Sequence, residues 1–247
     1  MKPHNTPQQL DPIGGITARL IVIVSGAIAV AIAIGMTLMN AAQVSSPALA
    51  ILAIVVLATT VAYYIRASSP FYAPLKLGSH IVICLGALIA TGIEAASQWG
   101  TNSYVRDDWG PIAMAIVVIS LGVYRGHLEI LACTIGSSII IGVIAVAIAG
   151  SGSTVTPVPV AVSVVTMVIP VLGSGFASAS FSRTLVRILL AWRNSVEVQV
   201  AASGEAAVPP AGHLAFLTTT VIPFLDRIVT TGQLREGDGA RARRCCP

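Results

Sequence analysis

Three observations predict an all-α fold, a polytopic bundle of about six membrane-spanning helices followed by a short helical tail. Hydrophobic residues make up 55% of the 247 positions and charged residues only 10%, too few polar groups to wet the surface of a soluble domain. Apolar runs long enough to cross a bilayer recur along the chain. Every Lys and Arg except Arg106 falls on one side of the resulting alternation, and cytoplasmic loops hold the excess of basic residues. Both termini are therefore expected in the cytoplasm.

A hydrocarbon core of ~30 Å needs roughly 20 helical residues at 1.5 Å each. Runs near Leu20–Met39, Ala48–Ile65, Gly78–Trp99, His127–Ala149 and Thr156–Ser180 meet that length. Another, Trp109–Tyr124, reaches only ~24 Å by the same rise. It spans a thinned bilayer if Trp109 sits at one interface and Tyr124 beside a snorkelling Arg125 at the other. Without it, the basic stretch after Arg183 and the N-terminus would lie on opposite sides. The first run is not a signal peptide: its apolar core is too long, and Asn40 stands where a cut after Ala42 needs a small residue. These limits divide the chain into a cytoplasmic N-terminal segment (1–19), a transmembrane domain (20–180), a linker helix (181–203) and a partly disordered tail (204–247).

Trp99, Trp109 and the tyrosines Tyr63, Tyr64, Tyr72 and Tyr124 are expected at the membrane interfaces. Helix contacts in lipid favour small residues, which nominates the pairs Ala31 with Gly35, Gly86 with Ala90, Ser138 with Gly142, and Gly173 with Ala177. Pro170 lacks a backbone donor and is expected to kink the last span just before Gly173.

The positive net charge of +4 is explained by the positive-inside bias, so nucleic acid is not an expected partner; the bilayer is. Chemistry-bearing residues are sparse. Glu94 is the ionisable group well inside a span, about one turn below the outer interface, where it acts as a proton, cation or ligand-sensing group or else reaches the headgroups. The outer loop holding Trp99, Asp107, Asp108 and Trp109 is either the mouth of a sensing site or a solvated connector. Glu129 follows Arg125 by four residues, and an i,i+4 ion pair accounts for both. Ser174 lies between Gly173 and Gly175 without the Gly-x-Ser-Gly of an intramembrane protease and with no His in a later span to act as its base. Cys84 and Cys133 are isolated within spans and read as small apolar residues, and His4, His80, His127 and His213 form no pair with ligand spacing. No metal, cofactor or catalytic role is predicted. There is no Walker loop or dinucleotide fingerprint.

From Phe181 the last span continues as a helix in which Leu185, Leu189, Trp192 and Val196 recur at close to 3.5 residues. That is the seam of a parallel homodimer able to pass motion to a cytoplasmic signalling partner. The alternative is an amphipathic helix lying on the inner leaflet, with Arg183, Arg187 and Arg193 near lipid phosphates.

After a Gly- and Pro-marked linker, the run from Val221 to Arg243 carries Val221, Pro223, Leu225, Arg227 and Ile228, then Gly232 and Leu234, then Asp238, Ala240, Arg241, Ala242 and Arg243. This resembles a segment of actinobacterial multi-span membrane sensor proteins related to histidine kinases, with the pattern V-x-P-x-L-x-R-I, G-x-L and D-x-A-R-A-R. The resemblance covers about two dozen residues and the general layout. It implies a sensor or signalling input module in a bacterial plasma membrane, with Pro170, Leu185, Leu189 and Trp192 on the transmitting helix. The ATPase-like part of that family is missing: the chain closes on Arg244-Cys245-Cys246-Pro247, as expected of a truncated or frame-shifted product. The alternatives are a small transporter or channel subunit, which needs Glu94 and Pro170 to face water, and a membrane interaction protein.

Overall fold

The computed structural model describes residues 6–11, 14–69, 74–101, 108–150 and 159–202. Asp107, the Val221–Arg243 segment and the tail over 204–247 lie outside them. Among the described residues all regular structure is helical: α1 (Pro7–Leu10), α2 (Gly14–Met39), α3 (Pro47–Ala67), α4 (Leu77–Ser97), α5 (Gly110–Ser120), α6 (His127–Gly150) and α7 (Val160–Ala202), with 3-10 turns at Ala41–Gln43 and Leu121–Val123. Among the described residues five stretches, Ala18–Met39, Pro47–Ala67, Leu77–Ser97, His127–Ala149 and Val160–Val196, are long and apolar enough to cross a membrane. The chain is a multi-pass helical membrane protein. Its compact unit Met1–Ala191 holds α1 to α6 and most of α7; the rest of α7 belongs to a second unit, Trp192–Pro247.

On α2 side-chain size is inverted relative to a water-soluble core, although elsewhere the bundle buries large side chains such as Leu57, Ile83 and Met114. Along α2, Ala18, Val22, Ala29 and Ala33 are buried while Leu20, Ile21, Ile28 and Leu38 are exposed. Lipid solvates large aliphatic chains as well as a protein interior does, so burial goes to residues that let backbones approach. Gly26 sits against Val61 of α3, and Gly86 of α4 against Thr60 of α3, each so closely that a Cβ would collide with the facing side chain. Gly86 and the fully buried Ala90 therefore form a contact of the expected kind. Gly35 and Gly173 meet nothing. On α7 the close face is displaced by two residues: Gly175 lies against Thr134 of α6, with Val171, Ser178, Ala179 and Ser182 buried on the same side.

The short fourth run is explained by where it lies. With its 3-10 extension it covers Gly110–Val123, and of its α-helical residues only Ile119 is exposed. Neighbouring helices surround it, so it has little lipid surface to match to the bilayer thickness. Its N-terminus is pinned by Pro111 in the first turn and by Gly110, whose hydrogen-sized side chain admits the backbone of Thr91.

Three expectations about its ends are corrected. Trp109 is not interfacial: it is 1% exposed and donates from Nε1 to Thr37 Oγ1 at 3.1 Å. Tyr124 is buried too, edge-on to Tyr64 with ring centroids 6.2 Å apart, and Tyr64 Oη accepts from Ser120 Oγ at 3.2 Å. Arg125 does not snorkel. It is buried, donates from Nη1 to Leu75 O at 2.7 Å and pairs with Glu129. Leu75 N in turn donates to Gln8 Oε1 at 2.9 Å, which ties α1 to this end of the bundle. An inward partner for the polar tip outweighs the aromatic and cationic preference for the interface.

Candidate functional site

Glu94 faces inward, so the reading in which it reaches the headgroups does not hold. It is 1% exposed and its Oε1 accepts from Gln98 Nε2, one turn on, at 2.7 Å. Ser97 Oγ closes the same turn by donating to Glu94 O at 2.7 Å. The end of α4 is clamped to the connection between α2 and α3: Ser97 O accepts from Ser45 N at 2.9 Å, Ser46 N at 3.1 Å and Ser45 Oγ at 2.8 Å, and Thr101 Oγ1 donates to Gln43 O. These bonds consume carbonyl acceptors that a helix end leaves open.

The remaining residues of the expected mouth separate. Asp108 and Trp109 are buried, whereas Trp99 is 53% exposed and takes no part in the Glu94 cluster. Loss of the carboxylate should therefore be felt as lost packing of polar groups. Glu94→Leu deprives Gln98 Nε2 of its acceptor and is expected to cost about 1–3 kcal/mol, while Glu94→Gln keeps an acceptor oxygen and costs less. Thermal unfolding of the purified variants in detergent measures both, and equal stability of the two would show that the Gln98 bond contributes nothing.

At the opposite end of α4 the structure assembles a group that sequence spacing concealed. His80 and Cys84 are one turn apart on α4, with Cys84 Sγ 3.9 Å from His80 Nε2, and Cys133 of α6 joins them. The ligating atoms of His80, Cys84 and Cys133 all lie within 4.8 Å of one another. The cysteines are thus not isolated. They line a pocket of about 370 Å³ together with Leu88, Glu129 and Ser137, and Ser137 Oγ is 4.0 Å from Cys133 Sγ. His80 is 3% exposed and its Nδ1 has no hydrogen-bond partner. The signal available beforehand was a matching pair of spacings, His-x-x-x-Cys on one helix and Glu-x-x-x-Cys on the other, each presenting two side chains on a single face.

The residues expected to transmit a signal lie on α7, one continuous helix through Pro170. Ser178 Oγ donates to Val118 O at 2.9 Å and Ser182 Oγ to Arg125 O at 2.7 Å, so α7 is fastened to both ends of the α5–α6 connection. Beyond Ser182, Leu185 and Leu189 are half-buried, while Ile188, Trp192 and Val198 are exposed. Comparison with protein-family models, curated proteins and solved structures gives no match to this chain.

Proposed function

We propose that this chain is the membrane-embedded input module of a bacterial signalling protein, with both termini cytoplasmic and α7 as its output. The observation that carries the reading is the continuity of α7 past its last bond to the bundle: the helix is fastened through Ser178 and Ser182 and runs on within the same compact unit to Ala191, about 14 Å at 1.5 Å per residue. A rigid rod held at one end transmits rotation or translation of that end. The exposed apolar side chains of Trp192 and Val196 supply the seam of a parallel homodimer, with Leu185 and Leu189 following the same rhythm. The test is single-cysteine scanning from Leu185 to Val196 in a chain whose Cys245 and Cys246 are replaced by serine. Crosslinking under mild oxidation is expected to peak with a period of about 3.5 residues. A flat profile with lipid protection along one face would place this helix on the bilayer surface and remove the reading.

The buried Glu94–Gln98 pair favours a second reading, a small transporter or channel subunit that moves protons or cations. Ion flux into reconstituted vesicles that disappears in Glu94→Gln would select it over signalling.

A further inference from the structure

The geometry points to a zinc-binding site built by His80, Cys84 and Cys133 between α4 and α6, independent of whether α7 transmits a signal. Zinc takes thiolate sulfur at about 2.3 Å and imidazole nitrogen at about 2.0–2.1 Å, so the edges of its tetrahedron are about 3.5–3.8 Å long. Cys84 Sγ and His80 Nε2 already stand at 3.9 Å, and no pair within the triad exceeds 4.8 Å. Contraction by about an ångström completes three corners. The fourth is left for water entering from the pocket that the three residues line.

The chemistry of the donors supports a metal here. The ligand types also select the ion. Thiolate and imidazole donors favour the soft or borderline d10 cations, zinc(II) and copper(I). As the metal–sulfur bonds form, each thiol releases its proton to the medium. Two thiolates with zinc(II) then make a site of zero net charge, whereas copper(I) would leave one negative charge in a mainly apolar pocket, which low-dielectric surroundings penalise. The remaining charges nearby, Arg125 and Glu129, already cancel each other.

The test uses the full chain with Cys245 and Cys246 replaced by serine, carrying an affinity tag without histidine, purified under reducing conditions and titrated with zinc sulfate against a chromophoric chelator. One zinc per chain is expected. Cobalt(II) in its place should give the near-ultraviolet thiolate-to-metal band and the visible bands of a tetrahedral ion. Cys84→Ser, Cys133→Ser and His80→Ala should each weaken zinc binding by more than the roughly 10–100-fold that loss of an outer-shell partner costs. Protection of the thiols needs no variant at the site: zinc should slow maleimide labelling of both Cys84 and Cys133, mapped by peptide mass. Zinc uptake no greater than that of the Cys84→Ser, Cys133→Ser double variant would overturn the assignment. So would labelling rates unchanged by zinc, binding of copper(I) but not zinc(II), or a Cys84–Cys133 disulfide in protein alkylated directly from cells.

Discussion

Gly110→Ala is expected to undock α5 from α4, and no change at the facing side chain should repair it. A Cβ at this position would stand 2.6 Å from Thr91 Cγ2 but also 2.9 Å from Thr91 Cα, and backbone in the middle of a helix cannot step aside. Overpacking of this kind costs about 1–3 kcal/mol, occasionally more, and the upper end applies because α5 is enclosed by its neighbours. Thr91→Ala removes the methyl and hydroxyl but leaves Cα in place, so the double variant should stay destabilised. Gly86→Ala provides the contrast. There the obstruction is the Thr60 side chain, and its Cβ would be 3.1 Å away, so Thr60→Ala should restore most of the loss. Heat-induced loss of the monodisperse elution peak in detergent measures all four variants. Rescue of Gly110→Ala by Thr91→Ala would mean that the helices separate easily at this crossing.

Arg125→Ala should cost about 2–3 kcal/mol, mainly through the charge-assisted bond it gives up to Leu75 O. Its ion pair adds little, because the Glu129 side chain is 38% exposed against 9% for Arg125, and solvent screens the attraction. Glu129→Gln is accordingly expected to cost about 1 kcal/mol or less. Arg125→Lys keeps the charge but loses the planar fork that addresses Leu75 and Glu129 in different directions, and should recover only part of the stability. If Glu129→Gln proved as damaging as Arg125→Ala, the pair and not the carbonyl bond would be holding this end of the bundle.

Membrane location was legible because it depends on hydropathy summed over about 20 residues, which packing cannot alter. The expected runs Gly78–Trp99 and His127–Ala149 agree with α4 and α6 to within about two residues. Azimuth was not legible. The depth of Glu94 follows from counting residues, but its direction depends on which face of α4 meets its neighbours. The rule that places tryptophan and tyrosine at interfaces presumes a lipid-facing ring, and it failed for Trp109 and Tyr124 because Thr37 and Tyr64 meet them from other helices. The displaced contact face of α7 has the same origin: Gly173 and Gly175 are equivalent in composition, and only the position of Thr134 distinguishes them. For His80, Cys84 and Cys133, a pair one turn apart is common by chance, and the third member comes from a helix more than forty residues on. Their convergence is a property of how α4 packs on α6.

The serines that fasten α7 have a further consequence. Ser174, Ser178 and Ser182 recur every four residues, and the acceptors used by Ser178 and Ser182 are main-chain carbonyls of Val118 and Arg125, which discriminate between serines not at all. Advancing the helix by four residues, about 6 Å with a rotation of about 40°, would bring Ser174 to the station of Ser178 and Ser178 to that of Ser182. The serines alone would permit that step, but it would also carry Val171 to the place of Gly175, where a Cβ would stand 2.6 Å from Thr134 Cβ. Intermediate positions would leave hydroxyls and carbonyls mismatched in a medium that offers them no water, and the whole step meets Thr134, so the serines and Gly175 together key α7 to a single register.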